Sequence, residues 1–235
     1  MNFVDLILLA IIGAFVLIGW YRGFLASAIQ LVAYVISFGV SAGGYRLLAS
    51  SLNKRFDLLE TFVKLSEGTE FIGDVEIARS SVTSVSSETI SRILDGANLP
   101  QFAKRLIESN IKDEAFKELG LSTVADYFNY SMMAGVLNVL CFVGLFILAL
   151  IVFSVLLSMV TSVVHLPVLR QFDSLLGAGL GLIFGILVLQ VVYMLAPAVL
   201  TMLPVGIFEE WLTGGVLSGW MAKDGFLLRM IRGVI

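Results

Sequence analysis

Nucleophilic and acid/base chemistry draws on groups this chain scarcely has: it contains one histidine, His165, and one cysteine, Cys141. A Ser/His/Asp arrangement would have to recruit His165 from the edge of a loop. No G-x-S-x-G, H-E-x-x-H or phosphate-binding glycine loop occurs to support one. A His/Cys metal constellation cannot be assembled from one residue of each kind, and a lone cysteine forms no disulfide framework. Cys141 sits within an apolar run and reads as a small buried thiol. The adjacent carboxylates Asp113/Glu114 and Glu209/Glu210 read as solvated surface rather than as general acid/base pairs. The residue types therefore predict no catalysis, no cofactor and no metal.

Polar side chains set inside apolar runs carry more information. Ser27, Gln30, Tyr34, Ser37 and Ser41 follow one another at intervals of 3, 4, 3 and 4 residues, which places them on one helical face. Five polar groups in a stripe are costly against lipid. The stripe therefore predicts helix-to-helix hydrogen bonding in a bundle, with a wet groove or pore wall as the sharper alternative. Downstream, Gly177, Gly181 and Gly185 form two overlapping G-x-x-x-G steps in LLGAGLGLIFGILVLQ, a pattern that lets helix backbones approach closely. Packing within the bundle and self-association both remain open from this signal. Asn138 and Gln190 are expected to act as interhelical amides.

The elements that carry these residues follow from composition. Of 235 residues, 58% are hydrophobic and 14% charged, and the mean hydropathy is +0.97, which implies an integral membrane protein. Spanning about 30 Å of hydrocarbon takes roughly 20 helical residues. Runs of that length cover Phe3 to Tyr21 and Phe24 to Gly44, with Arg22 and Gly23 between them. A guanidinium at the bilayer centre costs at least about 2.5 to 3.5 kcal/mol, so Arg22 and Gly23 are expected to form the interfacial turn of a hairpin, with Trp20 and Tyr21 at headgroup level. No acidic, basic or histidine side chain falls near the middle of a span, which argues against a proton- or ion-coupled transporter.

Between Arg46 and Asn129 lie 10 of the 15 Lys+Arg and 13 of the 18 Asp+Glu. This is a water-exposed insert, and its lack of a basic block argues against nucleic acid as a partner. Two amphipathic helices are expected there, about Asp74 to Leu94 and Pro100 to Leu119, packed on each other or resting on a membrane surface. Ser122 or Thr123 could cap a third span running without a breaker to about Val164. HLPVLRQFDS makes a second short turn with Arg170, and a fourth span covers roughly Leu175 to Leu195. The expected organisation is all-α: a four-helix membrane bundle of two hairpins (1–45 and 130–200), a helical insert (46–129) and a juxtamembrane C-terminal segment (201–235) containing Trp211 and Trp220.

MNFVD carries an acid and no Lys or Arg ahead of the apolar stretch, so the first span is expected to be retained rather than cleaved. Arg22 and Arg170 in the two short turns act as topology anchors. By the positive-inside rule they put both turns in the cytoplasm and both termini outside, although Arg46, Lys54 and Arg55 pull the other way.

Asp5 leading into "GWYRGF", the serine-bearing second span, and "LPVLRQFDSLLGAGLGLIFGILVL" together resemble the colicin V production protein family of bacterial inner-membrane proteins. The most specific parts are Arg22-Gly23-Phe24 and Asp173 to Gly177. The resemblance implies a four-span plasma-membrane protein linked to toxin production or export and to envelope integrity, with no assigned biochemical activity. Some relatives carry an outer-side protease domain after the fourth span, which favours an outside C-terminus. The long insert departs from the compact family pattern. The expected role is a non-enzymatic scaffold or accessory factor in secretion, toxin production or envelope homeostasis. Its expected partners are the lipid bilayer and a second copy of the chain or an envelope or secretion protein. The alternative is a channel or transport component with the stripe lining a path.

Overall fold

In lipid every backbone N–H and C=O must be satisfied within the chain, so long apolar runs are driven into helix. The computed structural model describes residues 2–65, 75–96, 101–161, 172–196 and 214–223. Among the described residues the secondary structure is helical, apart from an isolated antiparallel bridge between Ser81 and Thr123. The α-helices are α1 (Phe3–Phe56), α2 (Leu58–Leu65), α3 (Val75–Arg79), α4 (Ser87–Gly96), α5 (Gln101–Lys112), α6 (Val124–Thr161), α7 (Asp173–Tyr193) and α8 (Val216–Lys223). Three of them, α1, α6 and α7, are long and apolar enough to cross a membrane.

The 54 residues of α1 would reach about 81 Å if straight, far beyond the hydrocarbon thickness. They do not form one straight rod. Gly23, with φ 80° and ψ 177°, breaks the helix into two halves, and glycine is the residue that tolerates this backbone without strain. The second half does not stop at Gly44 as the hydropathy suggests but continues through Arg46, Lys54 and Arg55 to Phe56. Nothing before Asp57 interrupts it. There Asp57 turns left-handed (φ 49°), and the Asn53 side chain accepts the Leu59 N–H at 2.8 Å as α2 begins.

The described residues fall into two compact units. The first comprises 2–44, 142–161, 172–196 and 214–223, and the second 45–65, 75–96 and 101–141.

The second unit has a core of large apolar side chains drawn from several helices. Ile90 and Leu94 of α4, Ala103, Ile107 and Ile111 of α5, and Val124, Phe128 and Met132 of α6 are buried together. Phe116 packs its ring against Tyr127 at 5.5 Å and Tyr130 at 5.8 Å. Across this core the Asn110 amide of α5 donates to the Ser131 hydroxyl of α6 at 3.0 Å. At the start of α6, Thr123 Oγ1 accepts the Asp126 N–H and donates to the Asp126 carboxylate, a reciprocal cap.

Two expectations for this unit are corrected. The helix expected from Asp74 to Leu94 is divided into α3, a 3-10 turn at Val82–Ser84, and α4. The SSVTSVSS run explains the division, because Ser80 and Ser84 hydroxyls bond nearby carbonyls at 2.6 and 2.7 Å and compete with helix continuation. The helix expected to reach Leu119 ends at Lys112, and Glu114 turns left-handed (φ 45°) before the 3-10 turn Lys117–Leu119. Asp74 and Pro100 lie outside the described residues.

Candidate functional site

The first unit is organised around contacts at backbone distance. Gly19 and Gly23 of α1 form a G-x-x-x-G step that meets Gly177 and Gly181 of α7. A Cβ placed on Gly19 would collide with the Gly177 carbonyl oxygen, and one on Gly177 with the Gly19 carbonyl oxygen. Further along, a Cβ on Gly181 would strike the Phe15 carbonyl oxygen, and one on Gly185 would lie 3.0 Å from the Phe15 Cβ. Phe15, Gly19 and Gly23 thus run opposite Gly185, Gly181 and Gly177. Because lipid offers helices little hydrophobic drive to associate, this close van der Waals contact is what holds them.

At the end of the seam the broken backbone finds its own cap. Asp173, the first residue of α7, accepts the Phe24 N–H at 2.9 Å through Oδ1. Its carboxylate satisfies the start of the second half of α1 and leaves no room for a side chain at Gly23. Asp5 does the same for α8: its fully buried carboxylate accepts Val216 N–H at 2.9 Å, Ser218 N–H at 3.0 Å and Asn2 N–H at 3.2 Å. Leu8, Leu189, Tyr193 and Met221 close an apolar cluster beside it.

The polar stripe points into this unit, and two of its five groups are spent locally. Ser37 Oγ donates to the Ala33 carbonyl at 2.7 Å and Ser41 Oγ to the Ser37 carbonyl at 2.8 Å, both within α1. Both serines are fully buried. Tyr34 donates to the Leu187 carbonyl of α7 at 3.1 Å and packs edge-on against Phe146 and Phe184. Phe15 also packs edge-on against Phe184, at 5.3 Å, so residues on both sides of the Gly23 break meet the same ring. Ser27 is buried.

Gln30 behaves differently, because it links two other groups. Its Nε2 donates to Ser154 Oγ of α6 at 3.1 Å, and its Oε1 accepts from Arg22 Nη1 at 3.2 Å. Arg22, Ser27 and Gln30 line a cleft of about 180 Å³ together with Phe15, Ile18 and Phe184.

Of the other residues singled out from sequence, Asn138 is fully buried within α6 in the second unit, and Gln190 is half-buried on α7. Arg170 and His165 lie outside the described residues, as do Glu209, Glu210 and Trp211. Among the described residues no group of three or more His, Cys, Asp or Glu side chains could hold a metal ion. Sequence reasoning missed three residues. Gly19 was legible as the partner of Gly23 four positions later. Asp5 was legible as an acid inside an apolar run, which marks a group with a buried partner. Asp173 stood in the stretch that carries the family resemblance, but its role as a cap had only the weak signal of an acid at a helix start.

The family model described as colicin V production protein matches residues 4–85 and 118–225, most of the chain. No curated protein and no solved structure matches it.

Proposed function

Since the chain belongs to the colicin V production protein family, a family of bacterial membrane proteins, we propose that it acts as a non-enzymatic scaffold or accessory factor of the plasma membrane, serving toxin production, secretion or envelope homeostasis. Its membrane part is a four-helix bundle of two hairpins, the first turning at Gly23. The packing of Phe15 and Tyr34, from opposite sides of that break, on the one ring of Phe184 supports the reversal. Arg22 and Arg170 anchor the two turns in the cytoplasm, and both termini lie outside. The 46–129 insert is then extracytoplasmic and is the part offered to an envelope or secretion partner.

The observation that carries the scaffold reading is where the stripe's hydrogen bonds go. Ser37 and Ser41 return theirs to their own helix, and Tyr34 gives its hydroxyl to α7. Groups satisfied in this way do not need water, and a glycine seam at backbone contact leaves no bore along it.

Cysteine accessibility tests this against the channel reading. With Cys141→Ser as background, Ser27, Ser37 and Ser41 are replaced singly by Cys and exposed to a membrane-impermeant thiol reagent. The scaffold reading expects Ser37→Cys and Ser41→Cys to stay unlabelled. Labelling at all three positions would replace it with the channel or transport reading.

A further inference from the structure

The cleft at the Gly23 break has a composition that a packing seam does not require. Its lining combines apolar side chains, Phe15 and Ile18 from the first half of α1 and Phe184 from α7, with the polar Arg22, Ser27 and Gln30. Ile18 is 44% exposed, so the apolar part of the lining reaches the surface of an apolar helix long enough to cross a membrane.

Arg22 is exposed and held in place. Gln30 Oε1 takes one of its N–H donors, and Ser154 fixes the far end of Gln30. A guanidinium presents five donors in a planar fork, so most of its capacity is left over. Among the described residues no carboxylate pairs with it: the Asp173 carboxylate at the break is engaged by the Phe24 N–H. Its neighbours Trp20 and Tyr21 are both exposed, Tyr21 by 85%, and both are residue types that settle at headgroup depth. An exposed, oriented arginine in a cleft that it shares with apolar side chains, next to two residue types that favour headgroup depth, matches one chemistry: an anionic phosphate with a hydrocarbon tail.

We propose that this cleft binds an anionic phospholipid, with Arg22 pairing with the phosphate and the acyl chain lying against Phe15, Ile18 and Phe184. The guanidinium fork matches phosphate oxygens two at a time, which a point charge does not. Basic pockets between spanning helices on the cytoplasmic side are a known way of holding acidic headgroups. Ser27 and Gln30 supply further hydrogen bonds.

The test uses the purified full-length chain in detergent, offered equimolar phosphatidylglycerol and phosphatidylcholine, with bound lipid counted by native mass spectrometry. The expected result is that phosphatidylglycerol is retained about tenfold over phosphatidylcholine, whose choline ammonium neutralises its own phosphate and competes with the guanidinium for it. Arg22→Gln should abolish the preference and Arg22→Lys keep part of it. Ala26→Phe, which fills the cleft and leaves Arg22 in place, should lower retention of both lipids. Millimolar glycerol 3-phosphate should not displace the lipid, since it has the phosphate without the tail. Equal retention of the two lipids by the unaltered chain overturns the proposal, as does an unchanged preference in Arg22→Gln that melts at the unaltered temperature. Displacement by glycerol 3-phosphate overturns it too, in favour of a soluble phosphate ligand. If Arg22→Gln does not fold, Gln30→Leu decides, because it frees the guanidinium without removing its charge: a weakened preference supports the proposal and an unchanged one overturns it.

Discussion

The two units are held together by opposite means. In the second unit large side chains fill an interior: Phe116, Tyr127, Phe128, Ile107 and Met132 are buried, while Glu108, Lys112, Lys117 and Glu118 face water. In the first unit the closest helix approach is where side chains are absent, at Gly19, Gly23, Gly177 and Gly181, with Tyr34, Phe146 and Phe184 buried elsewhere in it, and many large apolar residues such as Leu17, Leu148, Ile151 and Leu175 lie on the outside. Water rewards burying hydrocarbon, whereas lipid does not distinguish a buried leucine from an exposed one. The same 20 residue types therefore build two kinds of helix contact, large-in across the core of the second unit and small-in along the glycine seam of the first.

Substitutions that reverse the rule in each unit test this contrast most severely. Phe128→Ala opens a cavity in the second unit and should cost about 3 to 5 kcal/mol. In hydrogen exchange on the full chain in nanodiscs, protection should fall across α4, α5 and the start of α6 while α7 keeps its own. Loss of protection in α7 to the same degree would show that the two units do not obey separate rules. Gly181→Leu makes the converse change and should cost about 1 to 3 kcal/mol by forcing the Phe15 backbone away, with exchange rising in α7 and the first half of α1. A Gly181→Leu protein as stable as the original would break the small-in rule.

Smaller effects sharpen the contrast. Thr123→Ala removes the reciprocal cap of α6 and should lower the stability of the second unit by about 1 kcal/mol, read as a shift in its melting temperature. Ser37→Ala should change stability by less than about 0.5 kcal/mol, since its hydroxyl bonds only the carbonyl four residues back. A loss well above that would mean that Ser37 joins helices. The smallest effect concerns Lys117, whose ammonium is held above its ordinary pKa by the hydrogen bond and charge of Glu114. A raised pKa contributes stability below the ordinary lysine range and loses it as pH climbs through the raised value. Because the pair is exposed, melting at pH 7 and pH 9 should differ by nothing measurable on its account.

The sequence made some of this legible and hid the rest for physical reasons. Arg22-Gly23 announced a break because a charge and a free backbone together inside forty apolar residues have few other uses, and the start of α6 was readable because a cap is a local event within four residues. The end of α1 was not, since hydropathy falls at Gly44 while helix propensity does not, and the chain stays helical to Asp57. The amphipathic stretch up to Leu94 was overread because spacing counts apolar positions and ignores serines that bond their own backbone. The face of the polar stripe followed from its period, but its partners did not. A serine that bonds its own helix and a glutamine that bridges to Ser154 look alike in one dimension. Asp5 and Asp173 escaped because their acceptors are engaged by residues 211 to 213 and 149 positions away.

That last separation constrains how the protein is made. Asp5 leaves the ribosome early, and the Ser218 N–H that it accepts follows 213 residues later, which at about 5 to 20 residues per second is a wait on the order of ten to forty seconds. Through that interval the carboxylate has no α8 to cap. The contact between α1 and α8 is therefore among the last of the membrane unit to form as the chain is made.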